Sequence, residues 1–227
     1  MNIYFLHGLN GYPAQWKPIQ EYLSKKGFNS SAYDFMKDKN LRKTRFQDYV
    51  EAIASEVSDD TVLIGHSMGG LLVQKIAEIT RIKAGICICT APPKGILLPS
   101  PGFSSSLRYI PYVLFNIPFT PMHTMRQQYI NAHISKEEIP TLLDALQKQS
   151  ARVTYEVMRN KIAVDAKKIT CPLFFIATKD DKLIPLRVAK TTATYYDASL
   201  DVLPGNHHIF SNWKPIVQAI EKYLVDL

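Results

Sequence analysis

Thr61-Val62-Leu63-Ile64-Gly65-His66-Ser67-Met68-Gly69-Gly70-Leu71-Leu72-Val73 is the stretch on which the reading of this chain turns. A short apolar run of strand length enters Gly-x-Ser-x-Gly, and a segment of helical period starts straight afterwards. A side chain presented at the tip of so tight a strand-to-helix turn needs small neighbours on both sides. Gly65 and Gly69 supply that room, and Gly70 lets the helix pack closely. Ser67 also stands at the helix N-terminus, where the Met68 N–H and the helix dipole favour a developing negative charge. Ser67 is therefore the candidate nucleophile, Met68 a candidate oxyanion donor, and Gly65 and Gly69 the glycines of the elbow.

Outward from that turn, short apolar runs alternate with helix-period segments. Strands are expected at Asn2–Leu6, Ser31–Phe35, Thr61–Ile64, Ala84–Thr90, Leu173–Ala177 and Leu200–Leu203. Helices are expected at Ala14–Lys26, Arg45–Val57, Met68–Thr80, Pro185–Thr194 and Trp213–Leu224. Such alternation predicts an α/β protein with a mostly parallel sheet covered on both faces. The pattern breaks from residue 92 to residue 166. Pro92, Pro93, Pro99, Pro101, Pro111, Pro118 and Pro121 punctuate an aromatic stretch there, followed by helical segments at Lys136–Gln149 and Arg152–Asn160. A long strandless insertion reads as a lid or cap on a core made of residues 1–91 and 167–227. Its apolar residues Phe103, Tyr112, Phe115 and Phe119 are the candidate walls of a substrate pocket.

A serine nucleophile needs a base, and the base needs an orienting acid. Of six histidines, His66 lies inside the turn, His7 on the exit of the first strand, and His123 and His133 in the insertion. That leaves His207 and His208, in a loop after a late strand, with His207 preferred. Asp180 and Asp181 follow the buried run Phe174-Phe175-Ile176-Ala177, and either can reach a histidine on the next loop. The chain order is Ser, Asp, His.

Bulk properties narrow the class. A chain of 227 residues with 46% hydrophobic content can bury one substantial core. Three cysteines without ligand spacing argue against a disulfide scaffold; no metal or cofactor is expected. Cys87 and Cys89, two apart in one expected strand, should face the same side. Neither a signal-type leader nor an apolar run of membrane-spanning length is present, which favours the cytoplasm. The net charge of +7 is dispersed, with a concentration at Lys37, Lys39, Arg42, Lys43 and Arg45. That cluster suits a solvated surface or attraction to an anionic lipid or an acidic substrate, and no nucleic-acid motif accompanies it.

With these residues in place, the chain resembles the α/β-hydrolase superfamily in its lipase, esterase and lysophospholipase-like branch. The resemblance covers nearly the whole chain and is strongest at Gly65 to Gly69. It implies that the backbone N–H of Leu9, after His7-Gly8, is the second oxyanion donor. It maps an Asp-x-x-(Val/Ile)-Pro pattern onto Asp181 to Pro185, preferring Asp181 to Asp180, and a Gly-x-His loop onto Gly205-Asn206-His207. Thr178 replaces the usual glycine three residues before the acid. The antiparallel edge strands common in the family are expected to be missing, giving a sheet of about six strands.

The implied activity is hydrolysis of carboxylic esters with an apolar acyl part through an acyl-enzyme. The same residues also suit a thioesterase, an amidase, a carbon–carbon hydrolase or an acyltransferase, and the scaffold alone suits a non-catalytic binding protein. A monomer or homodimer with a small apolar ester as partner, and a weak peripheral membrane contact through Phe115 or Phe119, completes the expectation.

Overall fold

The computed structural model describes residues 1–99, 107–120 and 144–227. Six strands, β1 (Asn2–Leu6), β2 (Ser30–Ala32), β3 (Thr61–His66), β4 (Ala84–Ile88), β5 (Leu173–Thr178) and β6 (Ser199–Leu203), form one sheet. Their spatial order is β2-β1-β3-β4-β5-β6, and every neighbouring pair is parallel. The α/β-hydrolase architecture expected from the sequence is the one observed.

Period-two alternation in strands that are apolar throughout sends side chains to two cores. Leu6, Leu63, Cys87 and Phe175 face one core, which takes residues from α2 (Phe46–Ala54), α3 (Met68–Ile79) and α6 (Leu186–Tyr195). Phe5, Val62, Ile64, Ile86, Ile88 and Ile176 face the other. There they meet α1 (Lys17–Lys25) and α7 (Trp213–Val225). Trp16 is fully buried, stacked on Phe5 with ring centroids 4.6 Å apart. Among the described residues no helix is long and apolar enough to cross a membrane.

Three local differences from the sequence reading have physical causes. The first expected helix begins as a 3-10 turn, Pro13–Trp16, and becomes α-helical only at Lys17. Pro18, which lacks an N–H, then falls in the first turn, where that donor has no partner to lose. The second strand pairs over Ser30–Ala32, not Ser31–Phe35. Asp34 Oδ1 accepts from the N–H groups of Met36 (3.3 Å) and Lys37 (3.2 Å) and turns the chain. Strand β4 stops at Ile88 because Cys89 takes a left-handed φ of 44°. Cys87 and Cys89 consequently lie in opposite cores rather than on one side.

The region between residues 92 and 166 contributes α4 (Ile110–Leu114) and α5 (Ala151–Met158). Ser150 caps α5, its hydroxyl accepting from the Val153 N–H at 3.3 Å and donating to the Thr44 carbonyl at 2.7 Å. Val153 and Val157 then insert into the α2–α3 core. Burial of this helix face predicts that Val153→Ala lowers the free energy of unfolding by about 2 kcal/mol, at roughly 0.8 kcal/mol per lost methylene plus a cavity term. Tyr155→Ala, on the exposed face, should stay within about 0.5 kcal/mol of the parent in urea denaturation.

Candidate active site

In a parallel sheet all the C-terminal strand ends lie along one edge, so the loops that leave them meet there. The chain winds outward from β1 to β2 on one side and from β3 to β6 on the other. The ends of β1 and β3 therefore flank the crevice where strand order reverses. Ser67 leaves β3 at this point.

Ser67 carries φ 55° and ψ −116°, a conformation rarely adopted by a residue with a side chain. Its surroundings hold it there. Its N–H donates to the Ile88 carbonyl of β4 at 2.9 Å, and its carbonyl accepts from Ala91 at 3.1 Å. The close approach of α3 leaves no space for side chains at two positions. A Cβ on Gly65 would collide with the Gly69 backbone, and one on Gly69 with the carbonyls of Leu6 and His7 at the end of β1. Inside α3, Gln74 is fully buried. Its amide donates to Thr90 Oγ1 (2.7 Å) and the Ala91 carbonyl (3.2 Å), and its oxygen accepts from the Tyr196 hydroxyl (2.8 Å).

His207 Nε2 lies 3.0 Å from Ser67 Oγ, and its Nδ1 lies 2.8 Å from Asp181 Oδ2. With Nδ1 protonated toward the carboxylate, Nε2 offers its lone pair to the hydroxyl. Asp181 Oδ1 accepts from the N–H groups of Leu183 (2.9 Å) and Ile184 (2.8 Å), which fixes the carboxylate plane. Asp180 is exposed, and its N–H donates to the Gly205 carbonyl at 2.9 Å. The structure thus puts Asp181, not Asp180, on His207. His208 turns the other way, Nδ1 meeting Ser211 Oγ at 3.0 Å.

The loops carrying the acid and the histidine are knitted together. Lys179 N–H donates to the Leu203 carbonyl at 2.9 Å. Thr178 Oγ1 donates to the Asn206 carbonyl at 3.0 Å. Thr178 therefore closes a bond between the two loops. Gly205 sits at φ 129°, a conformation that only glycine takes readily.

The loop after β1 comes equally close. A Cβ on Gly8 would stand 3.0 Å from Ser67 Cβ, so Leu9 follows directly beside the serine. Among the described residues the N–H groups of Leu9 and Met68 have no acceptor. His7 and His66 are structural supports. His7 is fully buried, stacked on Phe35 with centroids 4.2 Å apart, its Nδ1 2.9 Å from the Gly8 carbonyl. His66 Nε2 lies 2.9 Å from the His207 carbonyl. Burial lowers the pKa of His7 to about 4 and that of His66 well below the usual histidine value, so both are neutral at pH 7.

The sequence reading overlooked Asn10 and Cys89. Asn10, at φ 60° and 4% exposed, donates from Nδ2 to the carbonyls of Phe119 (3.1 Å) and Gln147 (2.9 Å). It ties the parts of the inserted segment around Phe119 and Gln147 to the Leu9 loop. Its Asn-Gly dipeptide was the available signal, since asparagine tolerates a left-handed backbone. Cys89 left no comparable trace. Its thiol, an Asp181 oxygen and a His207 nitrogen lie within 4.8 Å of one another, although no sequence spacing announces a ligand set. Of the candidate pocket residues, Tyr112 and Phe119 pack together with centroids 5.2 Å apart. Phe115 is 69% exposed, and Phe103 lies outside the described residues.

The profile of the alpha/beta hydrolase family matches residues 3–219. The chain belongs to that family. No curated protein matches this alpha/beta hydrolase in sequence. Among solved structures it is similar to an extracellular alpha/beta-hydrolase from a Paenibacillus species, with a TM-score of 0.78, 16% identity and 98% of each chain covered. It is also similar to a methylesterase from Arabidopsis, at 0.75 and 16% identity with both chains covered completely. A bromoperoxidase from Bacillus anthracis aligns at 0.77 and 16% identity, covering 98% of this chain and 91% of the other. Identities this low speak for the fold, and the differing names show how many chemistries one fold carries.

The buried neutral His7 makes stability pH-dependent with a definite sign. Its folded pKa lies below its unfolded value of 6.5, so the unfolded chain binds the extra proton first. Its contribution is complete above pH 6.5 and is lost as pH falls toward 4, up to ~3 kcal/mol. Urea denaturation between pH 7.5 and 4.5 should show a shallower loss in His7→Phe than in the parent. Parallel curves would mean that His7 does not resist protonation.

Proposed function

We propose that this alpha/beta hydrolase is a serine esterase acting on carboxylic esters with an apolar acyl part. The observation that carries the reading is the continuous line from Ser67 Oγ through His207 (3.0 Å) to Asp181 (2.8 Å). In this mechanism Ser67 attacks the ester carbonyl while His207 Nε2 takes the hydroxyl proton, and Asp181 stabilises the resulting imidazolium. Leu9 and Met68 N–H groups hold the tetrahedral oxyanion, each contributing on the order of 3 kcal/mol to the barrier. The imidazolium then protonates the leaving alcohol, and a water deprotonated by His207 releases the acid.

The inserted segment is read as the cap that shapes the acyl site. The Asn10 bonds to Phe119 and Gln147 support this, since they bring that segment to the oxyanion loop. So does the packing of Tyr109, Tyr112 and Phe119 into one aromatic group. Leu114 and Phe115, each 69% exposed, are the surface on which a weak membrane contact is proposed.

Ser67→Ala should abolish covalent labelling by a fluorophosphonate probe; labelling at the parental rate would end the assignment of the nucleophile. Asp181→Asn should reduce turnover of a p-nitrophenyl ester by about 10⁴, because the imidazole loses the partner that fixes its tautomer. Asp180→Asn should change it less than about threefold, as expected for a carboxylate not hydrogen-bonded to the imidazole. A reversal of that contrast would place the acid at the wrong residue.

A further inference from the structure

Strand β4 lies between β3, which presents Ser67, and β5, which leads to Asp181. The side chain it delivers to that edge is Cys89, swung out of the strand by its φ of 44°. Cys89 is 1% exposed, and its Sγ lies 3.4 Å from Thr178 Oγ1. The thiol, a carboxylate oxygen of Asp181 and a ring nitrogen of His207 are mutually within 4.8 Å. The proposed ester hydrolysis uses two of these three groups and gives the thiol no part.

We propose that Cys89, Asp181 and His207 form a site for a borderline-soft divalent cation, Zn²⁺ by preference, and that its occupancy switches Ser67 off. A sulfur, a nitrogen and an oxygen together suit Zn²⁺ and disfavour the oxygen-seeking Mg²⁺ and Ca²⁺. Charge agrees as well. A dication held by one thiolate and one carboxylate is neutral overall, which suits a buried position. Tetrahedral Zn²⁺, with bonds of about 2.3 Å to sulfur and about 2.0 Å to nitrogen and oxygen, needs ligand atoms roughly 3.2–3.6 Å apart. Side-chain adjustments of about an ångström or less close that difference.

The protons balance as follows. In the metal-free protein Cys89 carries a thiol, its Sγ 3.4 Å from Thr178 Oγ1. On binding, the S–H proton leaves to solvent and the cation takes Sγ, an Asp181 oxygen and His207 Nδ1. The proton displaced from Nδ1 reappears on Nε2 by exchange with solvent, and the ring stays neutral. Nε2–H then donates to Ser67 Oγ where it formerly accepted, so no lone pair remains to receive the hydroxyl proton. Inhibition follows from the change of tautomer, without displacement of Ser67.

The inhibition rests on the reading of Ser67 and His207 as nucleophile and base; the metal site does not. Co²⁺ is therefore added alone to the full chain as an optical probe. The parent should develop a thiolate-to-cobalt charge-transfer band saturating at about one Co²⁺ per chain, bleached by Zn²⁺. Cys89→Ser and Cys89→Ala should lack the band, and Cys171→Ser should keep it. Zn²⁺ should inhibit the parent's hydrolysis of a p-nitrophenyl ester, reversed by a chelator. In Cys89→Ser, measured against its own metal-free rate, at least tenfold more Zn²⁺ should be required. A band that survives Cys89→Ser, or unchanged zinc sensitivity in that variant, overturns the proposal. X-ray absorption at the zinc edge of the parent gives an answer independent of any variant's folding. One sulfur with nitrogen and oxygen neighbours supports the site, and a shell without sulfur overturns it. A parent with the band but no esterase activity would refute the proposed function and leave the metal site standing.

Discussion

The close approach of backbones at Gly65 and Gly69 is the constraint on which the rest of the site depends. α3 can start one residue after β3 only if its first turn lies directly against the ends of β1 and β3, where a single Cβ would collide with main-chain atoms. That contact forces Ser67 to φ 55°. It also brings Gly8 against Ser67, where an added Cβ would stand 3.0 Å from Ser67 Cβ. Strain at one residue is thus sustained by packing over a wide surface, including the fully buried Gln74 that ties α3 to the chain leaving β4.

A second layer of polar contacts converts a set of strand ends into one hydrogen-bonded unit. Asp181 is held by two backbone donors, leaving one oxygen for His207. The His207 loop is held from below by His66 and from the side by Thr178. These supports are buried and neutral, so they orient the ring without adding charge that would compete with Asp181. The same compactness brings the Cys89 thiol, an Asp181 oxygen and a His207 nitrogen within 4.8 Å of one another. A geometry that suits proton transfer through an imidazole also suits a cation in place of the proton, and the two occupants are mutually exclusive at Nδ1.

Much of this was legible along the chain because the signals are local. Short apolar runs mark strands, helix-period segments mark the helices between them, and the glycines flanking Ser67 state a steric requirement within five residues. The resemblance singled out Asp181 on a short motif, and its carboxylate lies 2.8 Å from His207 Nδ1. What was missed is non-local. Nothing in Ile86-Cys87-Ile88-Cys89 says that the strand ends two residues early, at Ile88, and sends the two thiols to opposite cores. Nothing in Leu9-Asn10-Gly11 says that the asparagine amide reaches carbonyls more than a hundred positions away.

The sequence by itself determined the class of the sheet and marked the Gly65–Gly69 turn between a strand and a helix, because both follow from steric and periodic rules acting over a few residues. Only the tertiary structure decided that Asp181 and not Asp180 meets His207, that Thr178 joins the two loops, and that Cys89 stands beside the pair. Those outcomes depend on where separate strand ends stop along a common edge. Pairing register and a single left-handed residue set that, and neither is written in the spacing of the residues concerned.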